Sequence, residues 1–472
     1  MSYPKKDSSR LFLNHFFLNM SLLPEQTNSH QLVDHFFRHE YGRLLGRLAR
    51  VLGHRNWEIA EDSVQAALQQ ALRTWGPRGI PADPGGWLYT VAHRKAIDIL
   101  RRAKQHKRFL DQDCKIAGEW DDVTVHVDAL DRDNPIDDDR LRMLFLCCDP
   151  SIPSESQIAM TLKLSAGFST SEVSRALLAS ESTIQKRITR AKEKLRESSN
   201  NLDRFADLDW AERVPSVLQT IYLIFNEGYF SFTPDQLLRK DLCEEAIRLA
   251  ILLDSTPFGC APQTSALIAL MLFHSSRFNA RRSDADYFVS LEDQDRSRWD
   301  WTIIRRGMAW MQRSARGGTL SRYHIEASIA WEHCRAAKFE ETDWNRINEL
   351  YRLMLESQHS VYCQVGLAMA EFFTDGPAAS LSRLNRCLGQ SVEIDTLHER
   401  SGHERSGGLC LLPQETAACE TLKGWVYLHL KDSAKAIESL RSAIKFSVGP
   451  NQTAAIKQLM VRHNLNPDVV AS

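Results

Sequence analysis

The sequence predicts an all-α protein, and three observations predict it. Apolar residues recur at spacings of three and four along nearly all of the 472 residues, strict alternation is rare, and Gly or Pro punctuates between the periodic stretches. With 43% hydrophobic residues, 22 Gly and 16 Pro, the chain has cores to bury and is neither fibrous nor mainly disordered. Its length suits roughly two to four domains.

The N-terminal residues 1–30 read as a disordered extension, with Met20 offering a second start. No run reaches the roughly 18 apolar residues that a membrane helix needs. Leu11 to Leu23 is broken by Asn14, His15 and Asn19, so no membrane contact is expected and the chain reads as cytoplasmic.

The first strong helix is Ala60 to Trp75. Val64, Leu68, Leu72 and Trp75 are expected to face its core, which leaves Glu61, Asp62, Gln65 and Gln69 on a polar face for a partner. A second helix, Trp87 to Arg102, is entered through Pro84-Gly85-Gly86. Arg94 and Arg101 lie seven apart, as do Lys95 and Arg102, so each pair sits two turns apart on one flank. Asp98 is spaced for ion pairs within the helix. Trp87, Tyr89 and His93 beside these cations combine planar surfaces for unstacked bases with charges for phosphates, the needs of opened nucleic acid.

The 59 Lys+Arg and 60 Asp+Glu almost cancel, but they are segregated. Basic residues crowd Arg94 to Arg108. Asp111 to Asp139 is acidic and reads, within 106–137, as a flexible linker. A second basic run covers Lys186 to Arg196. Two basic modules on an acidic tether suit a polyanion held at two places.

The second basic module reads as a helix-turn-helix. Ser169 and Glu172 have capping-box spacing at the start of a helix to about Leu178. A break at Ala179 to Glu181 precedes a helix to about Glu197. Its apolar stripe is Ile184, Ile188, Ala191 and Leu195. Thr183, Lys186, Arg187, Arg190 and Lys194 fall on the other side, where they are expected to meet a DNA major groove.

The order of these parts resembles the extracytoplasmic-function (ECF) sigma factors of bacterial RNA polymerase. AEDSVQAALQQALRTW and PGGWLYTVAHRKAIDILRR resemble sigma region 2 over 31–105, and the stretch from DDDRLRMLFLCC to ITRAKEKL resembles region 4 over 138–200. Asn226, Glu227, Gly228 and Tyr229 resemble the NEGY/DEGY hallmark of the group with a long helical C-terminal extension, here 201–472. Two departures are Arg94, where many relatives have Asn, and Phe230-Ser231-Phe232, where a small pair is common.

The resemblance implies a core polymerase partner, whose largest-subunit clamp would meet Glu61, Asp62, Gln65 and Gln69. It implies a melted -10 element held by Trp87, Tyr89, His93, Arg94, Lys95, Arg101 and Arg102, and a duplex -35 element on the helix from Ser182 to Lys194, where Ser182 and Gln185 join the five residues named above. The linker would thread the polymerase channel.

Gly424, Tyr427, Ala436, Leu440 and Ala443 have the spacing of a tetratricopeptide hairpin, so the extension reads as a helical array. Asn226, Glu227 and Tyr229 could contact a sigma region, or Tyr229 could fill the core. Glu227, Asp293, Asp295 and Asp300 offer carboxylates, but no nucleophile elbow, phosphate loop or HExxH accompanies them, so an enzyme is not expected. The ten cysteines, adjacent only at Cys147 and Cys148, read as reduced thiols. His398, His403, Cys410 and Cys419 match no usual zinc spacing, and HERSG at His398 is repeated at His403 as in a duplicated loop. No metal or cofactor is expected. The competing expectation is a stand-alone helix-turn-helix regulator whose helical repeats sense a ligand or protein.

Overall fold

The structure, a computed structural model, describes residues 29–52, 56–110, 136, 138–165, 167–177, 179–199, 210–230, 238–281, 289–318, 320–357, 360–398, 411, 413–447 and 450–465. Most of the acidic linker, residues 1–28, and His403 and Cys410 of the duplicated stretch lie outside them. The described residues are helical with no strand, as the periodicity predicts. None of their helices is long and apolar enough to cross a membrane.

The chain divides into two compact units, Met1–Ser216 and Val217–Ser472. In the first, α1 (Ser29–Leu52), α2 (Trp57–Arg78) and α3 (Pro84–Leu110) pack pairwise. Their buried stripes meet through Leu45, Leu48, Val64, Ala67, Ala71, Leu88, Ala92 and Ala96. The stripe of α2 corrects one expectation: Leu72 is 37% exposed, and Ala71 takes the core position. Eight residues at about 100° each carry Leu72 roughly 80° away from Val64, whereas seven and eleven return Ala71 and Trp75 to within about 20°. At the start of α3 the Asp83 carboxylate accepts from the Gly86 amide (2.9 Å), satisfying one of the amides that a helix start leaves unpaired.

The first unit continues with α4 (Asp139–Cys147), α5 (Ser154–Leu164), α6 (Thr170–Ala176) and α7 (Glu181–Ser199). Asp138 caps α4, its Oδ1 accepting from the amides of Arg140 (3.0 Å) and Leu141 (2.9 Å). Helix α1 also packs on α4, and the approach is close because Gly42 and Gly46 have no side chains. A Cβ at either would overlap the carbonyl oxygen of Ser165 or of Asp139. Trp210 and Arg213 complete this unit. The indole meets Phe145 edge-on at 5.3 Å, and the guanidinium donates to the Phe145 carbonyl (2.9 Å) and the Asp149 carboxylate (2.7 Å).

The unit boundary falls inside α8 (Trp210–Tyr229). The second unit then runs through α9 (Lys240–Asp254), α10 (Pro262–Ser275), α11 (Trp301–Ser314), α12 (Arg322–Arg335), α13 (Trp344–Ser357), α14 (Val361–Thr374), α15 (Pro377–His398), α16 (Pro413–His429), α17 (Ser433–Phe446) and α18 (Pro450–Arg462). Helix α10 packs on α9, α11 and α12 at once. Every residue from Ala266 to Phe273 is at most 3% exposed, as a helix apolar on all sides must be.

Helices α16 and α17 form the expected hairpin. Ala436, Leu440 and Ala443 are fully buried, and a Cβ on Gly424 would collide with Leu440 Cγ at 2.6 Å. Three of the four carboxylates weighed as catalytic candidates, Asp293, Asp295 and Asp300, make local bonds. Asp295 accepts from the Ser297 amide (2.9 Å), Asp300 from the amides of Thr302 (2.8 Å) and Ile303 (3.1 Å), and Asp293 pairs with Arg462.

Candidate nucleic-acid interface

The helix-turn-helix is built from short-range bonds. The Ser169 amide donates to the Glu172 carboxylate (2.7 Å) and the Glu172 amide to the Ser169 hydroxyl (3.1 Å), which are both halves of the expected capping box. Ser174 closes the turn by donating to the Ala179 carbonyl (2.5 Å). Ser180 then caps α7, accepting from the Thr183 amide (3.2 Å). Ile184, Ile188, Ala191 and Leu195 are all at most 7% exposed.

Opposite that stripe Ser182, Gln185, Lys186, Arg190 and Lys194 are exposed, while Thr183 and Arg187 are half-buried. Two of the expected DNA-facing cations already have partners on their own fold. Arg187 pairs with Glu155 of α5, and the Lys194 ammonium donates to the Ser151 carbonyl (2.9 Å).

Helix α3 presents the other cationic face. Arg94, Lys95, Arg101 and Arg102 are exposed. Tyr89 stacks on His93 (centroids 5.8 Å, planes 28° apart), and the Arg47 guanidinium sits 3.8 Å from the Tyr89 ring. Trp87 is half-buried and tilts against the buried Trp75 at 5.6 Å. The ring pair thus stands at the rim of the bundle while Trp87 closes its edge.

Arg47 is not legible as a site residue, because it is one of four arginines on α1, with Arg38, Arg43 and Arg50, and no spacing sets it apart. Asp98 corrects an expectation: it is exposed and forms no ion pair among the described residues.

The polar face of α2 is divided. Asp62, Gln65 and Gln69 are exposed, but Glu61 is 8% exposed. Its Oε2 accepts from the Lys192 ammonium of α7 (2.5 Å) and its Oε1 from the Tyr41 hydroxyl (3.4 Å). Burial, reinforced by the Glu61 carboxylate, pushes the Tyr41 hydroxyl far above its ordinary range, so it remains a donor. The helix-turn-helix and the three-helix bundle are therefore joined through Glu61.

In the second unit the Asn226 to Tyr229 stretch ends α8. Gly228 is tightly enclosed: its carbonyl accepts from the Arg239 amide (2.8 Å), and a Cβ there would meet Cys243 Sγ at 2.7 Å and the Arg239 carbonyl oxygen at 2.9 Å. Glu227 and Tyr229 are each 4% exposed. The Tyr229 hydroxyl accepts from Arg277 (2.9 Å), its ring stacks on Phe225, and the Arg281 guanidinium lies 3.4 Å from the ring centroid. Burial, then the charge of Arg277, holds His274 well below the usual imidazole range. The neutral His274 Nδ1 accepts from the same guanidinium (2.6 Å), because arginine can only donate. Of the two readings of this stretch, Tyr229 takes the core position.

Residues 36–106 match the family model for sigma-70 region 2, and residues 213–315 match a family of unknown function (DUF6596). Over 377 residues the chain is 35% identical to Uncharacterized protein R00370 of Rhizobium meliloti (strain 1021), covering 80% of this chain and 86% of that one. Over 162 residues it is 30% identical to the ECF RNA polymerase sigma factor SigM of Mycobacterium tuberculosis, covering 34% of this chain and 74% of that one. No solved structure matches the chain significantly. With a sigma region 2 carried by the α1 to α3 bundle and a sigma factor among its relatives, the chain belongs to the RNA polymerase sigma factor family.

Proposed function

We propose that the protein is an ECF-type sigma factor that recruits core RNA polymerase to promoters with separated -35 and -10 elements, and that its C-terminal helices regulate this activity. The observation that carries the reading is the pairing, within one unit, of two different cationic surfaces. Helix α7 offers a duplex-reading face of Gln185, Lys186 and Arg190. Helix α3 joins Arg94, Lys95, Arg101 and Arg102 to the Tyr89 and His93 rings, which suits unstacked bases. A regulator of closed duplex has no use for the second surface.

Asp62, Gln65 and Gln69 supply the face for the polymerase clamp. Glu61 joins them when its contact with Lys192 is released on docking. The test is run-off transcription by core enzyme with the full-length chain over a promoter library. Added protein is expected to create initiation at a discrete set of promoters. Initiation independent of the protein, together with duplex binding in the absence of polymerase, would replace the proposal with the stand-alone regulator.

A further inference from the structure

Helix α11 seats one side on the second unit and turns the other outward. Ile304 and Gly307 are buried, and a Cβ on Gly307 would meet the Phe273 ring of α10 at 2.7 Å. At about 100° per residue, Trp301, Arg305, Arg306, Ala309, Gln312 and Arg313 fall on the opposite side, and all six are exposed. The first amides of the helix are already satisfied, because Asp300 accepts from Thr302 and Ile303. What α11 offers a partner is therefore its flank.

That flank is cationic without compensation. No acidic residue stands between Asp300 and Glu326, a stretch that holds Arg305, Arg306, Arg313, Arg316 and Arg322. Arg305, Arg306 and Arg316, the last in the turn after α11, are exposed and form no ion pair among the described residues. Elsewhere in the second unit the exposed Arg335, Arg346, Arg352 and Arg462 each have a carboxylate partner. Arg313 is likewise committed, to the buried Asp254 (2.7 Å). Three neighbouring arginines that no carboxylate answers make a surface for an extended anion.

We infer that this flank of α11 grips the phosphate backbone of duplex DNA upstream of the -35 element, an inference that rests on the sigma-factor reading. The chain that carries α11 also carries α7, so DNA held by α7 is the polyanion at the highest effective concentration. Duplex on the other side of the -35 element leads to the -10 element and α3, which leaves the upstream flank for further contacts. From Arg305 to Arg316 the chain advances roughly 16 Å at helical rise, a length of duplex that carries several phosphates. The Trp301 indole, 50% exposed one turn before Arg305, adds apolar surface for a deoxyribose. No base is read, so the contact adds affinity whatever the flanking sequence.

The experiment uses the full-length protein with core polymerase and a promoter recovered by run-off transcription. Binding is compared on a duplex ending just upstream of the -35 element and on one extended by about 20 base pairs of arbitrary sequence, two helical turns. The parent complex should bind the extended duplex about threefold to tenfold more tightly, with a salt slope steeper by about 2 to 3. The triple variant Arg305→Ala, Arg306→Ala and Arg316→Ala should lose both gains and match the parent on the short duplex. Lys at all three positions should restore them, because a phosphate needs the charge rather than the guanidinium fork. Circular dichroism checks that each variant is folded. Normal binding to the short duplex with no gain from the flank, or a gain that the triple variant keeps, would overturn this proposal alone. Equal weakening on both duplexes would overturn it too, by placing the arginines on a protein partner. A parent chain that gives polymerase no affinity for the short duplex would overturn the sigma-factor reading, and this proposal with it.

Discussion

Helices α3 and α7 of the first unit and the surroundings of Tyr229 in the second use their arginines in opposite ways. In the first, Arg94, Arg101, Arg102 and Arg190 stand exposed on helices whose other faces make the core. In the second, Arg239, Arg277 and Arg281 are at most 8% exposed, with Arg277 and Arg281 wrapped around Tyr229. An exposed cation keeps its hydration until a polyanion replaces it. A buried one has given up water already and must be supported by carbonyls, hydroxyls and aromatic faces. The difference teaches that a basic residue signals nucleic acid only when its helix turns it outward. The same residue type, turned inward, fixes how neighbouring helices pack.

This contrast can be broken by substitution. Arg277→Ala removes the donor to Tyr229 and His274 and leaves a cavity, so chemical denaturation should show the second unit losing about 3 kcal/mol while promoter affinity stays unchanged. An unaltered midpoint would mean that the buried guanidinium is not structural. Changing Arg94, Lys95, Arg101 and Arg102 together to Ala should do the reverse. Affinity of the polymerase complex for forked promoter DNA should fall about tenfold to a hundredfold with a shallower salt dependence, and stability should move by no more than about 0.5 kcal/mol. Equal salt slopes for variant and parent would remove α3 from the DNA.

Arg190→Ala should cost about 1 to 2 kcal/mol at one position of the -35 element, read by competition among single-base promoter variants. Uniform weakening across them would make Arg190 a phosphate contact instead.

The smallest effect concerns α16, where His429 faces Glu292 at 3.7 Å. The Glu292 hydrogen bond raises the His429 ring above its ordinary range, and the His429 bond lowers the Glu292 carboxyl. The raised His429 stabilises fully below its unfolded value of about 6.5 and loses this as pH rises through its folded value. The lowered Glu292 stabilises above about 4.5 and loses this as pH falls. The second unit should therefore gain up to about 1 kcal/mol between those limits. In His429→Gln the pH profile of the thermal midpoint should lose this feature, and an unchanged profile would show that the pair contributes nothing.

What the sequence makes legible follows the range of each interaction. The capping box at Ser169 and Glu172 was readable because its two bonds join residues three apart. The apolar stripe of α7 was readable because helical period alone sets it. Leu72 was misplaced because a stripe only about 100° wide is sensitive to one residue of drift. The burial of Glu61 was not readable, since its partner Lys192 lies far along the chain on another element. For the same reason the resemblance marks Asn226 to Tyr229 as a motif without telling what surrounds it. Its environment is fixed by Arg239, Cys243, His274 and Arg277, which the fold supplies.

The glycines on α1 bear on how tightly the first unit closes. Gly46 lies against the Asp139 carbonyl of α4 and Gly42 against the Ser165 carbonyl just past α5, where the Arg140 guanidinium also bonds (3.0 Å). Both neighbours are main chain, which cannot swing aside as the tip of a side chain can. A single methyl group at either position would therefore wedge this seam apart and disturb the packing along the whole helix.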